Sequence, residues 1–251
     1  MFERLIFEHF LCGEVYFVEL NDRQQQIFDL VCAHKKISVA QLAETLYVTP
    51  MTVRRDLSAM EQGGYIKRYR GGAMELSPHD AFPVSRRTMI DEEEKRALGT
   101  RAASFLRDDT CIFIDSSSTT SFLIPHIRRF KNIRVVTNSV HALLLLAQMN
   151  VPVFLIGGEY NEHDMCCIGS NAEQTAHRIN VDLAFLSTLG ISEDGSITDS
   201  SPHITAVKER IMQHARHTVF LFEQSKIGKR GVYTLCHKED EDVTVLCSCG
   251  E

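Results

Sequence analysis

The sequence predicts an α/β chain of two domains: a small helix-turn-helix with a β-ribbon wing, then a larger doubly wound, mostly parallel sheet. Three observations predict it. Capped amphipathic helices lie between residues 22 and 62, a basic ribbon of alternating residues follows, and beyond residue 90 apolar strands alternate with helical segments.

The chain has 251 residues, 44% hydrophobic and 24% charged, a globular composition with room for two domains. The longest apolar run, Ala142 to Ala147, has six residues, far short of the roughly 20 that span a bilayer. Glu3, Glu8, Glu14 and Glu19 interrupt the apolar start, so a secretory leader is not expected. A cytoplasmic protein that avoids membranes is. Its eight cysteines include no C-x-x-C pair. They are expected to be reduced thiols holding no metal, although Cys166-Cys167 and Cys247-Ser248-Cys249 leave metal binding as the other reading.

The first helix is expected from Asp22 to His34, where Ile27, Leu30 and Val31 recur at helical spacing. Ser38 is a good N-cap for the second, with Gln41 at the capping-box position. Val39, Leu42, Ala43 and Leu46 are its expected buried face. Tyr47-Val48 makes the turn. Thr49 caps the third helix, and Pro50 suits its first position because the missing N–H has no partner there anyway. Val53, Leu57 and Met60 point inward, which leaves Thr52 and Arg55 outward with Arg54 at the edge; Gly63-Gly64 ends the helix. Tyr65 to Ala73 alternates like a β-ribbon carrying Lys67, Arg68 and Arg70.

Net charge is −6, which by itself disfavours a nucleic-acid partner. Its distribution reverses that inference. Residues 22–76 hold eight basic and six acidic side chains, a local balance of +2 on an acidic chain. A helix opening with Thr and Arg reads bases from the major groove, and a basic ribbon beside it neutralises phosphates. Ser38, Thr49, Thr52, Arg54, Arg55, Lys67, Arg68 and Arg70 are therefore the candidate DNA contacts. The competing reading is an ordinary three-helix unit with solvated charges.

Thr52-Val53-Arg54-Arg55-Asp56-Leu57 followed by Arg70-Gly71-Gly72-Ala73, with Ser38-Val39-Ala40-Gln41-Leu42-Ala43 before them, resembles the DeoR family of sugar-responsive regulators. The resemblance runs from about residue 21 to the C-terminus. Residues 1–20 are an unmatched extension, 21–76 the winged helix-turn-helix, 77–90 a linker with Pro78 and Pro83, and 91–251 the second domain.

That domain opens with Asp91-Glu92-Glu93-Glu94, acids suited to a helix N-terminus, and Ala97, Leu98, Ala102, Phe105 and Leu106 are the expected buried stripe. Strands are expected at 111–115, 133–136, 153–156, 181–186 and 219–222, and a helix with Phe122, Leu123 and Ile127 follows the first. Their C-terminal ends are polar: Asp115, Ser116, Ser117, Ser118, Thr119 and Thr120; then Thr137, Asn138 and Ser139; then Gly157 and Gly158; then Ser225 and Lys226. Ligands bind at such strand ends. Hydroxyls and free N–H groups suit an anion, Lys208 or Lys226 supplies charge, and Asp115 and Asn138 suit sugar hydroxyls. Any single loop also reads simply as a helix cap.

The resemblance implies that this domain is similar to ribose-5-phosphate isomerase and binds a phosphorylated sugar or polyol. It adds Gly169 to the matching positions. Ser117 stands where the family has glycine, Glu223 where Asp is usual, and Ile204-Thr205-Ala206 lacks the glutamate expected before Lys208, so the effector or its binding mode is expected to differ from the common pattern. The chain is thus expected to be a homo-oligomeric repressor of double-stranded operator DNA, without cofactor, whose effector disfavours the DNA-binding arrangement. The alternative is a sugar-phosphate isomerase-like or hydrolase enzyme with an accessory DNA-binding module. Asp115, Asp182, Asp199 and Lys208 are its possible acid–base groups, but no spacing pairs them and no G-x-S-x-G elbow is present.

Overall fold

The computed structural model describes residues 20–63, 65–74 and 84–248. The chain divides into two compact units between Arg86 and Arg87. Gly64, residues 1–19 of the expected extension and residues 77–83 of the expected linker lie outside the described residues.

In the first unit, α1 (Asp22–His34), β1 (Lys36–Ser38), α2 (Val39–Thr45) and α3 (Pro50–Gln62) precede the ribbon strands β2 (Lys67–Tyr69) and β3 (Gly72–Met74). Local chemistry fixes each start. Asn21 and Gln24 form a capping box on α1, as do Ser38 and Gln41 on α2. The Thr49 hydroxyl accepts from the Thr52 N–H at the head of α3. Tyr47 turns the chain with φ 53°. Ile27, Val31, Leu42, Val53, Leu57 and Met60 close one core.

The ribbon is shorter than expected. Tyr65 and Ile66 are buried in that core rather than paired in a strand. The turn between β2 and β3 needs φ +104° at Gly71, which only glycine adopts without strain. β3 also pairs with β1, a strand not expected from the sequence, giving an antiparallel sheet of order β1-β3-β2. Arg23 does not join the basic footprint. It holds the buried Asp56 carboxylate with two bonds, Nε–Oδ2 2.6 Å and Nη2–Oδ1 3.1 Å, tying α1 to α3.

The second unit begins within α4 (Val84–Met89), a helix inside the expected linker. It continues with α5 (Glu92–Ala102), β4 (Cys111–Ile114), a 3₁₀ helix (Thr120–Arg129), β5 (Arg134–Thr137), α6 (Val140–Gln148) and β6 (Val153–Leu155). The hairpin β7 (Glu159–Asn161) and β8 (Cys166–Ile168) leads to α7 (Ser170–Ala176), β9 (Val181–Leu186), β10 (Gly190–Ile191), β11 (Ser196–Asp199), α8 (Pro202–Met212), β12 (Ala215–Phe222), β13 (Tyr233–His237) and β14 (Val243–Cys247).

Six parallel strands form the main sheet in the order β14-β12-β9-β4-β5-β6. The chain starts at β4, winds one way to β6, then returns to β9 and winds the other way. The topological switch point therefore lies between β4 and β9, where parallel sheets open a crevice. Alternate residues divide between two cores: Ile112, Ile114, Val219 and Leu221 face α5 and α6, whereas Phe113, Phe220 and Phe222 face α7 and α8.

Several expectations change here. The five expected strands are joined by β14 at one edge, by the β7–β8 hairpin and by a three-stranded sheet β10-β11-β13. The segment after β4 is a 3₁₀ helix containing Pro125, which donates no N–H. Leu98 and Ala102 on α5 and Leu106 beyond it are buried as expected, but Phe105 is half-buried, Ala97 is exposed and Lys95 points inward. Gly99 lets α5 approach the 3₁₀ helix: a Cβ there would lie 2.3 Å from the Phe122 carbonyl oxygen. Alanine is the better helix former by about 1 kcal/mol, but the clash outweighs it. Gly99→Ala is expected to cost about 2 kcal/mol net, seen as a lower urea midpoint at unchanged slope.

Candidate functional site

The candidate DNA-contacting residues share the first unit. Arg54 and Arg55 are exposed on α3, and Lys67, Arg68 and Arg70 on the ribbon. Two of the expected contacts already have local duties. The Ser38 hydroxyl caps α2, and the Thr49 hydroxyl caps α3 and lies 2.9 Å from that of Thr52. Glu61 takes up part of the charge of Arg68, with Nη1–Oε2 3.6 Å.

The second site forms at the switch point. Asp115 follows β4 and is buried, and both its oxygens are engaged. Oδ1 accepts from the Ser117 N–H (3.0 Å) and the Thr120 hydroxyl (2.7 Å), Oδ2 from the Ser187 N–H just after β9 (3.1 Å). Asp115 thus ties the two strand ends together and shapes the 116–120 loop. Ser117 has ordinary backbone geometry rather than positive φ, and its hydroxyl accepts from the Thr120 N–H. The family glycine is therefore replaced by a side chain that caps its own loop.

Lys208, from α8, reaches into this loop. Its ammonium donates to Asp199 Oδ2 (2.8 Å) and the Ser187 carbonyl (2.5 Å) and lies 3.3 Å from Asp115 Oδ2. Burial pulls such an ammonium toward neutrality, but Asp199 and Asp115 more than offset it and raise its pKa.

A second ionic group adjoins the first. The Glu223 carboxylate accepts from the Thr119 hydroxyl (2.7 Å) and pairs with Lys226 (2.9 Å) and the buried Lys95 (3.5 Å). Lys226 also donates to the hydroxyls of Ser187 (2.7 Å) and Thr119 (3.2 Å), linking both groups. Burial pushes Glu223 up, yet Lys226, Lys95 and the Thr119 bond hold it below its ordinary value. Burial lowers Lys95 and Lys226 despite Glu223. Neither Lys95, which hides in an acidic run, nor Ser187 carries a signal in the sequence.

Asn138 and Ser139 border this region after β5. Asn138 bonds the β8 backbone through its Nδ2 to the Cys167 carbonyl (3.1 Å), while its buried Oδ1 has no donor among the described residues. Thr137 donates to the Ile114 carbonyl, and the Ser139 hydroxyl caps α6. The Cys166 thiol, pushed up to about 11 by burial, bonds Ser116. Gly157 and Gly158 follow β6, and among the described residues no hydrogen bond joins them or Gly169 to Lys208 or Lys226. Gly158 instead packs against Ile168, and Gly169 precedes α7. Among the described residues no cluster of three or more His, Cys, Asp or Glu is arranged to hold a metal ion, and no helix is long and apolar enough to cross a membrane.

Removing Lys208 would strand two buried carboxylates. Lys208→Met is expected to destabilise the fold by about 3–5 kcal/mol, measured by denaturant unfolding. A loss below 1 kcal/mol would show that water already neutralises the pair.

Residues 23–78 match the DeoR-like helix-turn-helix domain, and residues 90–246 match the DeoR C terminal sensor domain. The HTH-type transcriptional regulator GolR of Listeria innocua is 29% identical over 226 residues, 89% of each chain. The HTH-type transcriptional regulator IolR of Bacillus subtilis is 26% identical over 213 residues, 84% of this chain and 85% of that one. The glycerol-3-phosphate regulon repressor of Escherichia coli is 28% identical over 216 residues, 86% of each. Among solved structures, a D-ribose-5-phosphate isomerase in complex with phospho-erythronic acid has a TM-score of 0.42 and 19% identity over 54% of each chain. With both matched segments in one chain, this protein is a DNA-binding transcription regulator rather than an enzyme, and it belongs to the DeoR family.

Proposed function

We propose that the chain is a cytoplasmic, homo-oligomeric repressor of a carbohydrate-related operon and that a phosphorylated sugar or polyol lowers its affinity for operator DNA. One observation carries the effector class: the Lys226 ammonium meets the Thr119 and Ser187 hydroxyls at the switch point, and after the adjacent β5 the buried Asn138 Oδ1 lacks a donor among the described residues. A phosphate monoester satisfies the cation, and a hydroxyl satisfies Asn138 Oδ1. The relative that represses the glycerol-3-phosphate regulon supports the same class.

The roles within the site follow from what is already engaged. Asp115 and Lys208 are the frame, because each is saturated by protein groups. Lys226 and Thr119 meet the anion, since Lys226 is the more open lysine, at 21% exposure against 6% for Lys208. The Ser116–Ser118 turn lies alongside. Gly157, Gly158 and Gly169 shape the rim. On the DNA side, Arg55 and Arg54 read the major groove, and Lys67, Arg68 and Arg70 contact phosphates. Ser38 and Thr49 act through the helix N-termini that they cap.

A thermal-shift screen against sugar and polyol phosphates tests the sensor. The matching compound raises the midpoint, since it binds the native state alone, and lowers operator affinity. Thr119→Val is expected to weaken its binding about tenfold, the loss of one charge-assisted bond. Equal operator affinity with and without the stabilising compound would remove the effector role. Arg55→Ala is expected to cost about 1–3 kcal/mol in operator affinity and to relax base preference at one position. A uniform loss across all DNA sequences would instead assign Arg55 to phosphate.

A further inference from the structure

We propose that Arg87 is an anion-binding residue of the strand-end site, where the ligand's phosphate takes its guanidinium from Asp164. This inference rests on the effector reading above and adds a residue from α4, the segment leading into the second unit.

Arg87 is anchored at both rims of the site. Its carbonyl, with that of Ile90 (2.6 Å), accepts from Lys95 Nζ, and Lys95 pairs with Glu223, the counter-ion of Lys226. Its side chain reaches the opposite rim, where Nη2 contacts Asp164 Oδ1 at 2.5 Å. Asp164 lies in the β7–β8 connection. Beyond it, Cys167 of β8 donates its N–H to the Asn138 carbonyl (2.8 Å). Arg87 therefore bridges the β12 end, with its lysines, and the β5 end, with its open acceptor.

The guanidinium fork is half used. Asp164 occupies Nη2, while the buried Nε has no acceptor among the described residues. A phosphate presents two oxygens at the spacing of the fork and would bind Nε and Nη2 together. Arg87 Nε and Asn138 Oδ1 are then an orphan donor and an orphan acceptor in one site, matched by a ligand with an anion and a hydroxyl. The electrostatics agree. Burial lowers Lys226 and Glu223 opposes that, while the charges of Arg87 and Lys208 lower it further. Burial pushes Asp164 up, but His163, Arg87 and Lys208 hold it below its usual range. Exchanging Asp164 for phosphate keeps the guanidinium paired throughout, while the released carboxylate retains His163, 3.5 Å away, as a partner.

The test is calorimetric titration of the full chain with inorganic phosphate, glycerol 3-phosphate and ribose 5-phosphate. Arg87→Gln is expected to weaken binding about tenfold or more. Arg87→Lys, which keeps the charge, should fall between it and the wild type. Asp164→Asn is expected to tighten binding, because the competing carboxylate is gone. If Arg87 only served to hold Asp164, the Gln and Asn variants would weaken binding alike, and that result, or unchanged affinity in Arg87→Gln, overturns the proposal. Lys226→Met separates the two levels. If it loses binding while Arg87→Gln does not, only the role of Arg87 fails. If neither loses binding, or no probe binds the wild type, the strand-end reading fails and this inference with it.

Discussion

The ammonium of Lys208, enclosed by Asp115, Asp199 and the Ser187 carbonyl, is the contact on which the second unit's chemistry depends. Parallel strands leave polar ends at one rim of a sheet. At the switch point these ends have no neighbouring loop to cover them. A lysine from α8 fills that gap and draws β4, β9 and β11 toward one charge. Because Asp115 also bonds Ser117 and Thr120, the geometry of the hydroxyl loop follows from where Lys208 sits. Burying a cation is costly unless it is fully paired, so the same arrangement that positions the loop also commits two carboxylates to it.

Charge balance divides the site into a fixed and an exchangeable part. Lys208, Lys95 and Lys226 face Asp115, Asp199 and Glu223, three cations against three anions. An added anion has no spare counter-charge, so it must take over a cation from a carboxylate. The pairs able to yield are those nearest water, Lys226 with Glu223 and Arg87 with Asp164, whose basic members are 21% and 32% exposed. Lys208 and Lys95, almost fully enclosed, stay with the frame.

What was legible in the sequence was local. Ser38-x-x-Gln41 and Thr49-Pro50 set helix starts through bonds spanning three residues, and a reader needs only the adjacent sequence to see them. The apolar strands from Cys111, Val153 and Val181 stood out for the same reason. Long-range pairing was not legible. Arg23 and Asp56 lie 33 residues apart and look like two surface charges until α1 and α3 pack. Lys95 follows four acids, so helix periodicity gave its inward place to Ala97. β14 is five residues at an edge, and its register depends wholly on β12. Within the site, the hydroxyl loop and Lys226 were visible as residue types at strand ends. Glu223 was visible only as a departure from a pattern, and its sharing among Thr119, Lys226 and Lys95 was not.

The 3₁₀ helix after β4 has a consequence for the length of the crossover. At about 2.0 Å per residue against about 1.5 Å in an α-helix, ten residues travel about 20 Å instead of about 15 Å. A short stretch of chain therefore carries the polypeptide back from the end of β4 to the start of β5 along the face of α5. Its tighter winding also makes the helix narrower, which brings the Phe122 carbonyl close enough to α5 that only Gly99 fits opposite. The span of the connection and the thinness of the layer above the sheet are thus one property of the 3₁₀ winding from Thr120 to Arg129.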